Sequence, residues 1–142
     1  MDREEILNKV PIFAGLDRKH LKQLSRLMVP RTFKAGEAIV HEKDQPAGFF
    51  VVTSGKVEVV RGAAGDKPQV LATLGPGEFF GEMALFEGQA RSATVRALED
   101  TDCLAMTGWD FRAELSTDPE IAMAVLETVV RRLRDVEARL TE

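Results

Sequence analysis

The sequence predicts an α+β protein: a jelly-roll-type antiparallel β-barrel or sandwich of about eight strands, with an N-terminal helical segment and C-terminal helices. Two observations predict this fold. Apolar residues recur at helical spacing near both ends of the 142-residue chain. Between the two helical ends, short β-rich runs such as "GFFVVT" and "KVEVVR" alternate with Gly- and Pro-containing turns. Short strands spaced in this way are typical of sandwiches and small barrels.

We expect one domain over residues 1–142, because a chain of this length buries roughly two-thirds of the surface that it exposes when unfolded. Within it we place N-terminal helices at 1–30, a β-roll at 31–107 and C-terminal helices at 108–142. Asp17 is the predicted N-cap of an N-terminal helix. We expect Pro30 to end the helical stretch, since proline interrupts helical hydrogen bonding.

The C-terminal part predicts a long amphipathic helix. Asp118 followed by Pro119 is a strong start signal, an N-cap residue before proline at the first helical position. The predicted helix reaches about Leu140 and carries one apolar stripe, formed by Ile121, Val125, Val129, Leu133, Val136 and Leu140. Because a single domain of this size can pack against only part of such a long helix, we expect the distal half to pair with a second copy of the chain.

Composition and charge exclude several classes of protein. The formal net charge is −4, so broad attraction to nucleic acid or to an anionic membrane is not expected. No run of apolar residues is long enough to span a membrane, and the N-terminus is acidic where a signal peptide is basic, so we expect a cytoplasmic protein. Cys103, the single cysteine, excludes a disulfide framework and is expected to be a buried, inert thiol.

The isolated aromatic and histidine side chains are interpreted as structural. We expect Trp109 and Phe111 to anchor the helix that follows the β-region. His20 and His41 are 21 positions apart, and we expect both to be surface groups rather than metal ligands.

The stretch "GEMALFEGQARS" at 81–92 combines residues suited to a small anionic ligand. Gly81 permits close approach of the backbone, and one turn of helix over "EMALF" would present unpaired amides that favour an anion. Arg91 adds a planar guanidinium suited to a phosphate, and Ser92 adds a hydroxyl. Glu82 fits such a site only if the ligand also has a hydroxyl for its carboxylate to accept.

The same residues resemble a known family. The stretch "FGEMALFEGQARSATVRA" at 80–97 is similar to the phosphate-binding cassette of cyclic-nucleotide-binding domains, and we place the cassette itself at residues 79–93. "PIFAGL" with the Leu-rich helix, "FKAGEAIVHEKDQPAGFFVVTSGKVEV", "LGPGEFFGE" and the long terminal helix resemble the family's other landmarks in order, over essentially the whole chain.

The resemblance implies specific roles. Glu82 would accept the ribose 2′-hydroxyl, and Arg91 would pair with the cyclic phosphate. Ser92 and the backbone amides near Met83, Ala84 and Ala93 would complete the phosphate cradle.

Three further residues receive roles from the same resemblance. Gly81 would leave room for the sugar, and Leu85 would couple the cassette to the C-terminal helices. Val59 would pack on the purine.

The residues themselves leave other interpretations open. Glu82 and Arg91 form an internal ion pair in one alternative, and Ser92 caps a strand in another. A module of the same fold with another ligand or none is the alternative function. A metal-dependent cupin-type enzyme is a further alternative, but it needs a His-rich ligand set that two distant histidines do not provide. We therefore expect no enzyme activity, no metal and no cofactor beyond the ligand.

The function implied by the resemblance is a regulatory sensor that relays occupancy by moving its C-terminal helix. Cyclic AMP is favoured, with cyclic GMP as the alternative, although Val136 and Glu137 stand where catabolite-activator relatives place a polar pair that contacts adenine. The output domain that follows in related transcription activators is not part of these 142 residues. The expected partners are the nucleotide and a second copy of the chain, bound through the C-terminal helix.

Overall fold

The computed structural model describes residues 2–42, 48–85 and 93–141, and for Met83 and Ala84 it describes the backbone alone. The chain divides into two compact units. One, the helical unit, comprises Met1–Leu27 with Phe111–Glu142, and the other, the β unit, comprises Met28–Asp110. No helix among the described residues is long and apolar enough to cross a membrane.

The described part of the chain forms eight strands in two antiparallel sheets, with helices before and after them in the sequence, which confirms the predicted fold class. The strands form two open four-stranded sheets, in the orders β1-β8-β3-β6 and β2-β7-β4-β5. The strands are β1 (Val29–Phe33), β2 (Ala38–Val40), β3 (Phe49–Ser54), β4 (Val57–Arg61), β5 (Gln69–Leu74), β6 (Phe79–Phe80), β7 (Thr94–Ala97) and β8 (Thr101–Met106). The helices are α1 (Arg3–Asn8), α2 (Arg18–Ser25), α3 (Gly108–Thr117) and α4 (Pro119–Leu140), with 3₁₀ helices at Pro11–Phe13 and Glu82–Leu85.

The core of the β unit lies between the two sheets. Side chains from β3, β6 and β8 of one sheet meet side chains from β2, β4 and β7 of the other in one buried cluster. This inter-sheet cluster consists of Val40, Phe50, Val52, Val57, Phe80, Val95 and Cys103. Alternation selects these residues, because successive side chains of a strand point to opposite faces.

The β3–β4 turn depends on a glycine that approaches another loop closely. Gly55 has φ +92°, and a Cβ built there would lie 2.5 Å from the carbonyl oxygen of Asp100. Only glycine fits such a position without backbone displacement. The turn at Gly55 is therefore also a packing contact within this unit.

In the helical unit, an aspartate caps the N-terminus of α2 and another caps that of α4. Asp17 Oδ1 accepts a hydrogen bond from the backbone N–H of His20 at 2.9 Å, as predicted. Asp118 caps α4, with Oδ1 accepting from the N–H groups of Glu120 at 3.1 Å and Ile121 at 3.4 Å. Such caps stabilise a helix by about 1 kcal/mol each, so both helix starts are fixed locally.

Three predictions about this chain need correction. Trp109 does not anchor a helix, since its side chain is 78% exposed, whereas Phe111 is buried and its ring lies 5.7 Å from that of Phe13. His20 is buried rather than a surface group, while His41 is exposed. Pro30 does not end a helix: α2 ends at Ser25, and Pro30 lies within β1, an edge strand, where a missing N–H is tolerated.

The predicted stripe of α4 divides into a buried and an exposed part. Ile121 and Val125 are fully or almost fully buried, and the first half of the helix packs on the 3₁₀ helix Pro11–Phe13. A Cβ built at Gly15 would lie 2.5 Å from Thr128 Oγ1, so the chain approaches α4 closely there. Beyond Thr128 the apolar side chains of the stripe are 40–80% exposed.

Cys103 is a buried thiol, as predicted. Burial, with a smaller contribution from the neighbouring Asp102 carboxylate, raises the pKa of this thiol from 9.0 to about 11. The side chain belongs to the inter-sheet cluster. Because the thiolate is the reactive form of cysteine, a raised pKa keeps the group unreactive at neutral pH.

We expect the stability of the protein to fall between pH 9 and about 11 because of Cys103. In this window the unfolded chain loses the thiol proton and the folded chain keeps it, so unfolding becomes more favourable as pH rises, by at most about 1.4 kcal/mol per pH unit. Urea unfolding of the wild type and of Cys103→Ala at several pH values measures the difference. Equal slopes in the two proteins would contradict the assignment.

Candidate functional site

The segment that enters the predicted cassette is fixed on strand β3. β6 pairs with β3, placing Phe80 opposite Phe50 with their rings stacked at 5.1 Å. Two backbone hydrogen bonds with Val52 hold the turn before β6. The N–H of Gly77 donates to the carbonyl oxygen of Val52, and the N–H of Val52 donates to the carbonyl oxygen of Glu78, both at 2.8 Å. The position at which the chain enters the cassette is therefore determined by the sheet.

Directly after β6 the backbone turns through a left-handed residue. Gly81 has φ +83°, a conformation that glycine adopts without steric cost. The 3₁₀ helix Glu82–Leu85 begins at the next residue and lies beside β3. Leu85, at its end, is fully buried. The predicted turn of helix over "EMALF" is thus present as a 3₁₀ turn, with Glu82 at its start and Leu85 as its anchor.

The segment that leaves the cassette is fixed on the other sheet. Ala93 is buried and is followed by β7, which pairs with both β2 and β4. The hydroxyl of Thr94 accepts a hydrogen bond from the backbone N–H of Glu42 at 3.0 Å. Val95, the next residue, belongs to the inter-sheet cluster.

The two ends of the cassette meet in one core. Phe80, one residue before Gly81, and Val95, two residues after Ala93, both belong to the inter-sheet cluster. The segment from 81 to 93 therefore starts and finishes at one buried cluster, although its ends belong to different sheets. Binding loops are commonly carried on a packed scaffold in this way.

Val59, the predicted purine contact, lies beside the inter-sheet cluster. It is half-buried, packs against the inter-sheet cluster and pairs across β4 and β7 with Val95. On its other side it pairs with Ala72 of β5. Residues directly opposite in an antiparallel pair share one face, so Ala72 extends the apolar surface that Val59 begins.

Ala72 is a candidate site residue that the sequence analysis missed. Counting the alternation outward from the β4–β5 hairpin, where Val60 pairs with Val70, would have placed Leu71 rather than Ala72 opposite Val59. The irregularity of register between Val59 and Val60 makes that count unreliable from the sequence.

The outer face of the same sheet carries a different set of groups. Arg96 and Glu58 alternate with Val95 and Val59, and their side chains form an ion pair with Nε 2.6 Å from Oε1. Arg96 also lines a pocket of about 590 Å³ beside the β4–β5 loop, together with Thr94 and His41. This pocket lies on the face opposite Val95, so it is not the predicted nucleotide site.

Several predicted ligand-binding residues lie outside the described residues. These are Arg91 and Ser92, and also the side chains of Met83 and Ala84, whose backbone belongs to the 3₁₀ helix. The structure brings Gly81 and Glu82 together at the start of that helix, packs Val59 against the inter-sheet cluster and buries Ala93 directly before β7. The roles of all eight residues stay predictions, as does the alternative Glu82–Arg91 ion pair.

Comparison with known proteins decides the family. The family model described as "Cyclic nucleotide-binding domain" matches residues 30–118, well over half of the chain and including all of the cassette. The chain belongs to the cyclic nucleotide-binding domain family. The resemblance seen in the sequence is thereby confirmed.

Relatives of this cyclic nucleotide-binding domain occur in proteins of different kinds. A "Cyclic AMP receptor protein" of Thermus thermophilus is 35% identical over 130 residues, covering 92% of this chain and 60% of the relative. A cyclic nucleotide-gated potassium channel of Rhizobium etli is 35% identical over 128 residues, covering 90% of this chain and 34% of the channel. The chain therefore spans between one-third and three-fifths of these relatives.

A solved structure shares the fold over nearly its whole length. It is the N-terminal domain of a transcriptional regulator from Streptomyces coelicolor A3(2), with 37% sequence identity and a TM-score of 0.83. The match covers 92% of this chain and 94% of that one. The cyclic nucleotide-binding domain described here is thus similar to a domain that has been solved on its own.

Proposed function

We propose that this chain is a regulatory sensor that binds a cyclic mononucleotide without changing it chemically. One observation carries the proposal: a left-handed Gly81 and a 3₁₀ turn at Glu82–Leu85 open a segment whose two ends meet in one core cluster. That geometry suits a phosphate cradle, because the first amides of a helical turn are not used within it. Membership of the cyclic nucleotide-binding domain family supports the same function.

In the proposed site, two charged side chains bind different parts of the ligand. Arg91 and Ser92, with the amides near Met83, Ala84 and Ala93, hold the cyclic phosphate, since a guanidinium matches phosphate oxygens in pairs. Glu82 accepts the ribose 2′-hydroxyl, which explains an acidic residue in an anion site.

We propose cyclic AMP as the preferred ligand. Val59 and Ala72 offer an apolar surface to the base and no hydrogen-bonding group. Guanine has an exocyclic amino group and a carbonyl oxygen, which lose hydrogen bonds to water when placed against such a surface. Adenine has an exocyclic amino group but no carbonyl oxygen, so it loses fewer hydrogen bonds to water. The relative named as a receptor for cyclic AMP supports this choice.

We expect isothermal calorimetry of the purified chain to show tighter binding of cyclic AMP than of cyclic GMP. Arg91→Ala should weaken cyclic AMP binding by about 30- to 1,000-fold, because a lost charge-assisted phosphate contact costs about 2 to 4 kcal/mol. Arg61→Ala, which removes an exposed arginine of β4, is the matched control and should leave binding unchanged. Negligible binding of both nucleotides by the wild type would favour a ligand-free module and defeat the sensor proposal.

A second arm of the same titration tests Glu82. The 2′-deoxy analogue of cyclic AMP should bind the wild type about 10- to 100-fold more weakly than cyclic AMP, as expected for a hydrogen bond to a charged group. Glu82→Gln should weaken cyclic AMP by a similar factor but show little further loss with the analogue. Full additivity of the two losses would place the 2′-hydroxyl elsewhere.

We further propose that occupancy is relayed through movement of α4. A ligand shifts such an equilibrium only if it binds one helix position more tightly than the other. Hydrogen exchange of the α4 amides, measured with and without saturating cyclic AMP, should therefore change in the wild type. The same addition should have no effect in Arg91→Ala. Unchanged exchange in the wild type at full occupancy would rule out the relay while leaving binding intact.

The exposed half of α4 supports a homodimer as the partner arrangement. Val129, Leu133, Val136 and Leu140 are 40%, 56%, 48% and 80% exposed and lie along one side of a helix about 33 Å long. Apolar side chains repeated at spacings of three and four residues are typical of a helix that pairs with another. We propose that two copies of α4 cover this stripe.

We expect Leu133→Asp to convert the dimer to a monomer in sedimentation equilibrium. Each protomer loses the burial of one leucine, so the dimer loses about 3 to 6 kcal/mol in total. Ala138→Asp is the matched control, since Ala138 is exposed and lies on the opposite side of α4 from the stripe. A wild-type chain that stays monomeric at high concentration would overturn the dimer.

A further inference from the structure

A buried histidine stands among three carboxylates in the helical unit. His20, on α2, is 6% exposed. Its Nδ1 lies 2.9 Å from Asp17 Oδ1, and its Nε2 lies 3.3 Å from Glu120 Oε2 and 3.8 Å from Asp118 Oδ2. This cluster, formed by Asp17, His20, Asp118 and Glu120, joins the start of α2 to the start of α4. Neither the cassette nor the family match assigns it a role.

The separations around Nε2 are too long for good hydrogen bonds. An N–H···O bond has a usual length of about 2.9 to 3.0 Å, and both carboxylate oxygens lie beyond it. Three ligands of a tetrahedral Zn²⁺ ion, each bound at about 2.0 to 2.1 Å, lie about 3.3 Å from one another. The oxygens of Asp118 and Glu120 and the nitrogen of His20 all lie within 4.8 Å of one another. The two printed separations from Nε2, 3.3 Å to Glu120 and 3.8 Å to Asp118, are close to this ligand spacing, so small side-chain shifts would place an ion between the three atoms.

The other side of the imidazole is held as a metal-bound histidine usually is. A ligating histidine almost always directs its second ring nitrogen at a carboxylate or carbonyl, which fixes the orientation of the ring. Asp17 provides this carboxylate at Nδ1. Burial of His20 fixes the ring further, so Nε2 is held toward the two remaining carboxylates.

Charge and access also fit a cation. Three carboxylates surround one imidazole, so the cluster keeps a net negative charge even when His20 is protonated. Asp118 uses Oδ1 to cap α4 and leaves Oδ2 for another ligand. The Glu120 side chain is 78% exposed, so an ion and a completing water can reach the cluster from solvent.

We infer that His20, Asp118 and Glu120 bind a divalent transition-metal ion of the Zn²⁺ type, with Asp17 orienting the histidine. The imidazole selects Zn²⁺ over Mg²⁺ and Ca²⁺, which prefer all-oxygen sites. The bound ion links the first turn of α4 to α2. The inference does not depend on nucleotide binding, because its residues lie outside the cassette.

Calorimetric titration of the 142-residue chain with Zn²⁺ tests this site. We expect one ion per chain and at least tenfold weaker binding of Ca²⁺ and Mg²⁺. Glu120→Gln and Asp118→Asn should each weaken Zn²⁺ binding by at least tenfold, and asparagine at 118 keeps the helix cap. Asp17→Asn should cost about 10- to 100-fold, the usual effect of losing a carboxylate that orients a metal-bound histidine.

Two controls separate a site from general attraction to acidic residues. Glu127→Gln removes the same charge from an exposed position of α4 and should leave Zn²⁺ binding unchanged. Co²⁺ bound to the wild type should give the visible spectrum of a four-coordinate ion, and this spectrum should be lost in His20→Gln but kept in His41→Gln. The melting temperature should rise with Zn²⁺ in the wild type and Glu127→Gln, but not in Glu120→Gln.

Other outcomes would overturn the inference. Equal losses in Glu120→Gln and Glu127→Gln, or equal binding of Zn²⁺ and Ca²⁺, would show attraction to acidic residues only. No saturable binding of Zn²⁺ would show that His20 forms a simple ion-pair cluster.

Discussion

Burial of side chains between the two sheets is the interaction on which the β unit depends. The cluster is small, yet it contains one residue close to each end of the cassette, Phe80 and Val95. Burial of a large apolar side chain contributes about 1.5 to 3 kcal/mol, so each end is held by a strong and non-directional force. The loop between them can then keep charged and polar groups for a ligand, because it does not have to stabilise its own ends.

The same constraint explains the residue types around the cassette. Gly81 is needed where the chain leaves the core, since φ +83° is costly for other residues. Leu85 returns the chain to the core after four residues of 3₁₀ helix. Polar residues suited to a ligand therefore appear only between apolar anchors.

Much of the fold was predictable because its signals are local. The alternating strands, the N-caps at Asp17 and Asp118 and the 3₁₀ turn at Glu82–Leu85 each depend on residues close in sequence. The exposure of Trp109 was misjudged because burial depends on which distant residues pack beside a side chain. The residues next to Trp109 in the sequence do not indicate this. His20 was misjudged for the same reason, since two of its partners lie about 100 residues away.

The candidate site was predictable to a different extent at its two ends. The phosphate and ribose end is encoded in one short stretch, so Gly81, Glu82 and Arg91 could be proposed together. The proposed base end consists of cross-strand neighbours, and Ala72 is recognised only through the observed register with Val59. Pairing across strands is fixed by tertiary structure, and a bulge such as that between Val59 and Val60 shifts it by one residue.

The proposed contacts are strong enough for switching only if they act together. Moving a two-state equilibrium from 1:99 to 99:1 requires about 5.5 kcal/mol of differential binding. A phosphate contact from Arg91 supplies about 2 to 4 kcal/mol, and a ribose contact from Glu82 about 1.5 to 3 kcal/mol. Neither reaches the threshold alone, whereas their combination does near the upper end of both ranges. An acid and a base in one short loop are therefore what a switch requires, provided that both contacts form in only one position of α4.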